Sequence, residues 1–317
     1  IYDDILPEFL ITIPVTGGSL NAPVLSYKLD EILSRCTIIW EPVSVADDTT
    51  HNVVLKDMEL SLGVFNKKNF INQSALVDGV MYRLLIDAAD RAENELTVVL
   101  ADSVTYDTTL PVFLDVVPAA GGYVNSAVLQ FTNSEILQAG SVTWLRTDGE
   151  ADGGSPHTMD IPAEYFGSGP QETINIAAPN LVNGTIYQLT LNSTDKAGNM
   201  SVTTVLDNVH FDTEAPAVVI IYPPDRPAIN NTDVGYELSE HLREATFTYT
   251  WLSGLEDPGS PHTLNLDPRK LQENTVNRYP LSPAPFLIDG ATYKIEFSGN
   301  DRAGNIGNVD VRESILY

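Results

Sequence analysis

The sequence holds one cysteine, few basic residues and no long apolar run. Cys36 is the only cysteine among 317 residues, so no intrachain disulfide can form. The chain has 17 Lys and Arg against 43 Asp and Glu, which gives a formal net charge of −26. Nucleic-acid binding needs basic surface that displaces counterions from phosphates, so this charge excludes a nucleic-acid partner. Docking on anionic lipid is disfavoured for the same reason.

The sequence also lacks the features of membrane and disordered proteins. It contains no run of 18 apolar residues, so no membrane insertion of this segment is expected. No basic stretch followed by an apolar one opens the chain, so no signal peptide is visible. Charged residues make up 19% and hydrophobic residues 43%, so the acidity reflects scarce Lys and Arg in a chain that can bury a core.

Internal repetition is the main positive feature of the sequence. The pattern Asp-x-Ala-Gly/Glu-Asn begins at positions 90, 195 and 301, and the pattern Asp/Asn-Gly-x-x-Tyr begins at 78, 183 and 289. Asp-Thr-x-x-Pro begins at 107 and 212, and Asp3 and Pro7 have the same phase. This period of about 105 residues predicts three domains, 1–106, 107–211 and 212–317. Both ends of the chain fall in phase, so we expect a segment of a longer array.

Each repeat alternates apolar and polar residues and shows no helical period. In the middle repeat these segments are separated by Gly, Pro, Asn and Asp at the spacing expected of a β-sandwich. They are 112–116, 127–131, 141–145, one near 157–159, 172–176, 185–191 and 202–206.

Two recurring aromatic positions are typical of immunoglobulin-like sandwiches. A tryptophan on the third predicted strand has the position of the core tryptophan, and the Asp/Asn-Gly-x-x-Tyr pattern that of the tyrosine corner. Antibody domains have a cysteine two residues after this tyrosine, whereas here the residue is apolar. The residues are Trp40, Trp144 and Trp251, then Tyr82, Tyr187 and Tyr293, then Leu84, Leu189 and Ile295. The sequence therefore predicts an all-β chain of three tandem immunoglobulin-like β-sandwich domains in an elongated array.

The linker pattern, the Asp-x-Ala-Gly-Asn turn and the lack of disulfides together resemble tandem bacterial immunoglobulin-like repeats. Such repeats build the stalks of large secreted and cell-surface proteins, including adhesins. The resemblance covers all three repeats and implies an extracellular or cell-surface location. Glu93 departs from it, because the other repeats have Gly there; if the turn needs a positive φ, Glu is mildly strained.

Acidic residues recur where one pole of each sandwich is expected. In this fold the entering linker, the B–C loop and the F–G turn meet at one pole, because loops cluster at the two ends of the sandwich. The residues predicted there are Asp3, Glu31, Asp87 and Asp90 in the first repeat, Asp107, Glu135, Asn192 and Asp195 in the second, and Asp212, Glu240 and Asp301 in the third.

These clusters predict Ca²⁺ at the interdomain junctions. Carboxylates in one place repel each other unless a cation neutralises them, and irregular loops of oxygen ligands suit Ca²⁺. Zn²⁺ prefers His and Cys, which do not cluster here. Adhesin arrays that the chain resembles use calcium in this way. The alternative is that Asp195 and Asp301 cap a tight F–G turn, and Asp107 and Asp212 a linker turn, through side-chain to backbone hydrogen bonds.

A catalytic role finds no support in the sequence. His51, His157 and His262 occur once per repeat, tens of Å apart, and are interpreted as structural loop residues. Walker, Rossmann, metalloprotease and Gly-x-Ser-x-Gly patterns are absent from the sequence. A catalytic site normally occurs once, whereas a structural device recurs.

Three functions remain in competition. The first is a non-enzymatic extracellular stalk whose partners are neighbouring repeats of the same chain. The second is a surface filament or sheath subunit that pairs edge strands with other copies, for which Glu8–Ile13 is a candidate donor. The third is a module that binds carbohydrate or a receptor, which requires an exposed aromatic platform.

Overall fold

The protein is described by a computed structural model that covers residues 3–43, 46–68, 75–174, 179–272 and 274–317. Over these residues it consists of strands and three short 3₁₀ helices. We call residues 1–106, 107–211 and 212–317 units 1, 2 and 3. The 3₁₀ helices are Asp57–Leu60, Ala163–Tyr165 and Pro268–Lys270, one in each unit.

The strands recur in the same order in each unit. Those of unit 1 are β1 (Phe9–Ile13), β2 (Ser19–Leu20), β3 (Leu25–Leu29), β4 (Leu33–Pro42), β5 (His51–Val54), β6 (Gly63–Lys68), β7 (Met81–Asp90) and β8 (Glu95–Tyr106). Those of unit 2 are β9 (Phe113–Val117), β10 (Tyr123–Val124), β11 (Leu129–Asn133), β12 (Leu137–Gly149), β13 (His157–Asp160), β14 (Gly169–Ile174), β15 (Thr185–Asp195) and β16 (Thr204–Phe211). Those of unit 3 are β17 (Val218–Tyr222), β18 (Asp233–Leu238), β19 (Leu242–Gly254), β20 (His262–Asn265), β21 (Thr275–Pro280), β22 (Ala291–Asp301) and β23 (Asp310–Leu316).

Each unit is a sandwich of a three-stranded sheet and a larger one. The sheets of unit 2 have the orders β14-β11-β9 and β10-β16-β15-β12-β13, and those of the other units match them except that unit 3 has no counterpart of β10 among its named strands. The short strands β2 and β10 pair parallel to β8 and β16, and the other strand pairs are antiparallel. The chain is therefore a series of immunoglobulin-like sandwiches, as predicted.

One feature of the topology differs from the constant-type immunoglobulin domain. There the fourth strand extends the sheet that holds the first two. Here the strand after β12, β13, pairs with β12 itself, and β5 and β20 behave in the same way. The strands β5, β13 and β20 thus lie at the edge of the larger sheet in their units.

Alternation of side chains builds the three cores. Along β15 buried and half-buried residues alternate from Thr185 to Asp195, which is the period of a strand with one face on the core. Tyr187, Leu189 and Leu191 are fully buried by this pattern. Burial of one such leucine contributes about 1.5–3 kcal/mol. Each unit has a hydrophobic core made of its own residues.

The core-tryptophan prediction holds for Trp40 and Trp144 and only in part for Trp251, which packs against the edge of its core. Trp144 is fully buried and pairs across the sheet with His157, but the residue that pairs with His262 is Tyr249. Trp251 lies two residues further along β19, on the same face but nearer its end, and is half-buried. Its indole nitrogen donates to the Leu255 carbonyl at 2.9 Å.

The predicted strands of unit 2 lie close to those of the structure. The predicted strand 141–145 is the middle of the longer β12, and 185–191 is most of β15. The predicted strand 172–176 corresponds to β14, Gly169–Ile174, while its last two residues lie outside the described ranges.

Candidate metal centre

The structure brings three carboxylates together in each unit. They come from the entering linker, from the turn before the third long strand and from the end of the strand that precedes the F–G turn. In each group the nearest ligand atoms of the three residues lie within 4.8 Å of one another. The groups are Asp3, Glu31 and Asp90; Asp107, Glu135 and Asp195; Asp212, Glu240 and Asp301. We call the end of each sandwich that carries such a group its acidic pole.

The F–G turn holds its aspartate by backbone and side-chain donors. In unit 2 Asp195 Oδ1 accepts hydrogen bonds from the Gly198 and Asn199 amides at 2.7 and 2.9 Å. The Asn199 side-chain amide donates to Asp195 Oδ2 at 2.8 Å and also to the Asp107 carbonyl at 2.8 Å. The repeated Asn therefore ties the turn to the linker. Asp301 and Asn305 repeat these bonds in unit 3.

The turn needs a left-handed residue, as the departure at Glu93 suggested. Gly198 and Gly304 have φ values of +91° and +93°, and Glu93 adopts φ +66° in the same place. Asp90 still accepts hydrogen bonds from the Ala92 and Asn94 amides at 2.7 and 2.8 Å. Unit 1 therefore keeps the turn with a residue that is strained there.

The linker carboxylates also cap a turn. Asp107 Oδ1 accepts from the Thr109 amide at 3.0 Å, and Asp212 Oδ1 accepts from the Glu214 amide at the same distance. The capping alternative is therefore present in the structure. It does not compete with cation binding, because a carboxylate has about four lone-pair positions and each cap uses only some of them.

Glu135 distinguishes the two interpretations, because no turn uses its carboxylate. Its Oε1 is buried and has no hydrogen-bond partner among the described residues. Burial and then the charges of Asp107 and Asp195, with a smaller contribution from Asp78, raise its pKa to about 7. Burial also raises the pKa of Asp107, and the charges of Asp195 and Asp78 add to this, while the hydrogen bond from the Thr109 amide opposes it. In unit 2, none of the salt bridges between described residues involves Asp107, Glu135 or Asp195, so the negative charge is concentrated there.

Two of the predicted residues lie away from these groups. The Asp87 carboxylate pairs with the guanidinium of Arg35, and Asn192 Oδ1 accepts from the Thr203 hydroxyl at 2.6 Å. The reason is strand geometry. Asp87 and Asn192 each precede the turn aspartate by three residues, so their side chains point to the opposite face of the strand.

A second recurring site, which the sequence reasoning missed, lies at the other end of each sandwich. In unit 2 Asp152 Oδ2 is 2.7 Å from His157 Nε2 and accepts a hydrogen bond from the Tyr187 hydroxyl at 2.7 Å. The Tyr187 oxygen accepts from the Val182 amide at 3.0 Å, which is the backbone bond of a tyrosine corner. The same network joins Asp47, His51 and Tyr82, and Asp257, His262 and Tyr293. We call this end the histidine pole.

The aspartate of the histidine pole is fully satisfied. Burial opposes ionisation of Asp152, but hydrogen bonds from Tyr187 and His157 outweigh it and hold its pKa at about 2. The Tyr82 and His51 hydrogen bonds likewise hold the pKa of Asp47 at about 2. The available signal was an Asp four or five residues before each repeated His, at the same period as the rest of the repeat.

The histidine pole of one unit also holds the linker that enters the next. Asp78 Oδ1 accepts from the Thr108 hydroxyl at 2.8 Å, and Asp78 Oδ2 accepts from the Thr109 hydroxyl at 2.9 Å. At the next junction Asn183 Oδ1 accepts from the Thr213 amide at 2.7 Å. The linker is therefore hydrogen-bonded both to the preceding unit, through Asp78 or Asn183, and to the F–G turn of the following unit, through Asn199 or Asn305.

No protein-family model matches this sequence, and no curated protein matches it. Three solved structures are among those to which the chain is similar. The FN1–FN3 domains of chicken CNTN1 are 13% identical, with 97% of each chain covered and a TM-score of 0.32. The fibronectin(III)-like modules of Clostridium thermocellum CbhA are 11% identical over 65% of this chain and 95% of that one, with a TM-score of 0.33. Dimeric latent PorU from Porphyromonas gingivalis is 12% identical over 98% of this chain and 34% of that one, with a TM-score of 0.25.

The sheets of the molecule define its class: a tandem array of immunoglobulin-like β-sandwich domains. Among the described residues, no helix has the length and apolar character that crossing a bilayer requires.

Proposed function

We propose that the chain is a non-enzymatic structural or adhesion segment of an extracellular or cell-surface protein, and that Ca²⁺ bound at the acidic poles stiffens it. One observation carries the proposal. The same three-carboxylate group recurs in every unit at the place where the linker enters. A site that is repeated with the fold, at the same structural address, serves the array and not a single reaction.

The ligand set favours Ca²⁺ over other cations. Each group offers hard carboxylate oxygens on irregular backbone, and Ca²⁺ accepts six to eight oxygen ligands at flexible geometry. The three repeated histidines lie at the opposite pole, where their partners are Asp and Tyr. The three acidic groups contain Asp and Glu without a histidine, which does not favour Zn²⁺. A bound cation would favour the deprotonated form of Glu135, because its positive charge would offset the burial and the negative neighbours that raise the pKa of this carboxyl.

The mechanical effect follows from where the ligands sit. Contacts between consecutive domains are small by default, so relative motion is expected unless something joins them. An ion held by Asp107, Glu135 and Asp195 fixes the linker to two loops of unit 2. Asp78 holds the next linker residues to unit 1. Binding therefore restrains both sides of the junction at once.

The test compares the chain in CaCl₂ and in EGTA, with MgCl₂ as a control cation. We expect CaCl₂ to raise the melting temperature by linkage and to narrow the distribution of shapes in small-angle scattering. MgCl₂ should do less, because Mg²⁺ demands near-ideal octahedral geometry. No shift of melting temperature and no titratable heat with Ca²⁺ would remove the metal from the proposal and leave the spacer role to be judged by scattering alone.

A second candidate, assembly through edge strands, is favoured by one observation. The first strand of each unit lies at a sheet edge, and Leu10 and Leu114 are exposed on β1 and β9. In unit 3 this edge is closed, because the Val218 and Ile220 amides donate to Asn308 Oδ1 and Asp310 Oδ2 at 2.8 and 2.6 Å. Over the described residues no such cover is seen on β1 or β9.

Edge-strand assembly is tested by concentration. Fibres that form as the protein is concentrated, and that disappear when Leu10 is replaced by Lys, would support it, because a charge on the edge blocks pairing. A strictly monomeric chain at high concentration would count against it.

A further inference from the structure

The two junctions between units are built differently. At the junction of units 2 and 3, the Arg302 guanidinium lies over the Tyr123 ring, 4.4 Å from its centroid, and donates to the Tyr123 hydroxyl at 3.2 Å. The Tyr123 ring is itself stacked on His210, with centroids 4.3 Å apart and an interplanar angle of 7°. Burial, and then the charge of Arg302, lowers the pKa of His210.

A polar contact adds to this stack. The Asn125 side-chain amide of unit 2 donates to Asn305 Oδ1 of unit 3 at 3.1 Å. Asn305 is already fixed by Asp301 and by the Asp212 carbonyl. The F–G turn of unit 3 is thus held against strand β10 of unit 2 by direct side-chain contacts that need no ion.

The junction of units 1 and 2 keeps the two asparagines, as Asn21 and Asn199, but lacks the aromatic rings and the arginine. Ser19 pairs with Thr105 in the parallel β2–β8 pair, just as Tyr123 pairs with His210 in β10–β16. Lys196 follows the turn Asp195, as Arg302 follows Asp301. Serine, threonine and lysine offer no ring to stack, and no side-chain hydrogen bond joins these positions in the described parts of units 1 and 2.

An open groove is found at this first junction. It has a volume of about 560 Å³ and lies between the first strands of unit 1 and the F–G turn of unit 2. Its lining includes Pro14, Val15, Leu20 and Ala197. A pocket of about 430 Å³ also lies at the second junction, and its lining includes Tyr123, His210 and Glu240. The two junctions therefore differ in their side-chain contacts and not in the presence of a groove.

We propose that Tyr123, with His210 behind it, is a docking surface for the F–G turn of the following repeat, whose Arg302 it receives. This contact fixes units 2 and 3 without an ion. The junction of units 1 and 2, which has no such ring contact, bends more widely in the absence of divalent ions. The inference refines the proposed stalk but depends on no metal site, so either can fail alone.

The test measures distances across each junction in EGTA by double electron–electron resonance. Spin labels at Lys28 and Gln130 report on units 1 and 2, and labels at Gln130 and Glu237 on units 2 and 3; all three side chains are exposed. The native Cys36 stays in place, because its thiol is buried and burial raises its pKa to about 12. We expect a narrow distribution across units 2 and 3 and a broad one across units 1 and 2.

Variants show whether the contact of Arg302 with Tyr123 holds units 2 and 3 together or whether the linker between them is stiff by itself. Arg302→Ala and Tyr123→Ser should broaden the second distribution to the width of the first, while the matched Lys196→Ala should change neither. Ser19→Tyr combined with Lys196→Arg should narrow the first. Equal widths in the unmodified chain, or an Arg302→Ala chain that keeps its narrow distribution, would overturn the proposal. Melting curves identify any variant that has lost its fold.

Discussion

The acidic pole and the histidine pole of one sandwich use the same residue type to opposite effect. In unit 2, strand β15 runs from one pole to the other, and Tyr187 and Asp195 stand at a separation of about 26 Å along it. At the histidine pole a buried aspartate receives two side-chain donors and a backbone amide. At the acidic pole three carboxylates share one place, and the Glu135 Oε1 has no donor among the described residues.

This difference shows what a recurring carboxylate can mean. A carboxylate whose pKa is held near 2 stabilises the fold in its charged form, as Asp152 does. A carboxylate whose pKa is raised to about 7 destabilises the fold in its charged form until a cation arrives, as Glu135 does. Both residues recur with the period of the repeat, so periodicity alone does not distinguish the stabilising carboxylate from the destabilising one.

The largest expected effect comes from removing the aspartate of the histidine pole. Asp152→Ala leaves the Tyr187 hydroxyl and the His157 ring without their buried acceptor, which should cost about 3 kcal/mol in the free energy of unfolding. Asp160→Ala, which removes an exposed carboxylate from the same strand as His157, should cost little. Denaturant titration followed by Trp fluorescence compares them. Equal losses would mean that the network does not hold the pole.

At the acidic pole the corresponding change has the opposite sign. Glu135→Gln removes a charge that repels Asp107 and Asp195, so it should raise stability in EGTA by about 1 kcal/mol at neutral pH. Addition of CaCl₂ should raise the melting temperature of this variant by less than that of the unmodified chain, because one of the proposed calcium sites has lost a ligand. If the variant were less stable than the unmodified chain in EGTA, the Glu135 carboxylate would be making stabilising contacts within the protein even without a cation.

Much of this arrangement could be predicted from the sequence. The alternating strands, the tyrosine corner and the gathering of linker, B–C and F–G residues all follow from period and topology. The positions that differ from expectation depend on a shift of two or three residues. Trp251 is two residues past the core position that Tyr249 fills, and Asp87 and Asn192 are on the wrong face of their strands.

The histidine pole was hidden for a different reason. Asp47 precedes its histidine by four residues, and Asp152 and Asp257 precede theirs by five. Whether such a pair meets depends on the conformation of the loop that precedes the strand with the histidine (β5, β13 or β20), which no sequence period encodes. The tyrosine that completes the network is about 35 residues away in the chain.

The two poles should also respond to pH in opposite directions. The raised pKa of Glu135 means that the folded state binds its proton more tightly, so this contribution is present below pH 4.5 and is lost as pH rises through about 7. The lowered pKa of Asp152 gives stability that is present above pH 3.8 and is lost as pH falls towards 2. Melting temperature against pH in EGTA should therefore pass through a maximum on the acidic side of neutrality. Calcium should remove the decline towards neutral pH and leave the acid loss unchanged.

The smallest effect concerns the strained turn at the acidic pole of unit 1. Glu93 has φ +66°, a conformation that costs a non-glycine residue about 1 kcal/mol. Replacement by glycine removes this strain, but the larger entropy of glycine in the unfolded chain cancels part of the stabilisation. Glu93→Gly should therefore stabilise unit 1 by about 0.5 kcal/mol. Gly198→Ala in unit 2 is the matched reverse and should destabilise by about 1 kcal/mol. Calorimetry that found Glu93→Gly destabilising would show that the Glu93 side chain makes a contact worth more than the strain, and the acidic poles of units 1 and 2 would then differ in kind.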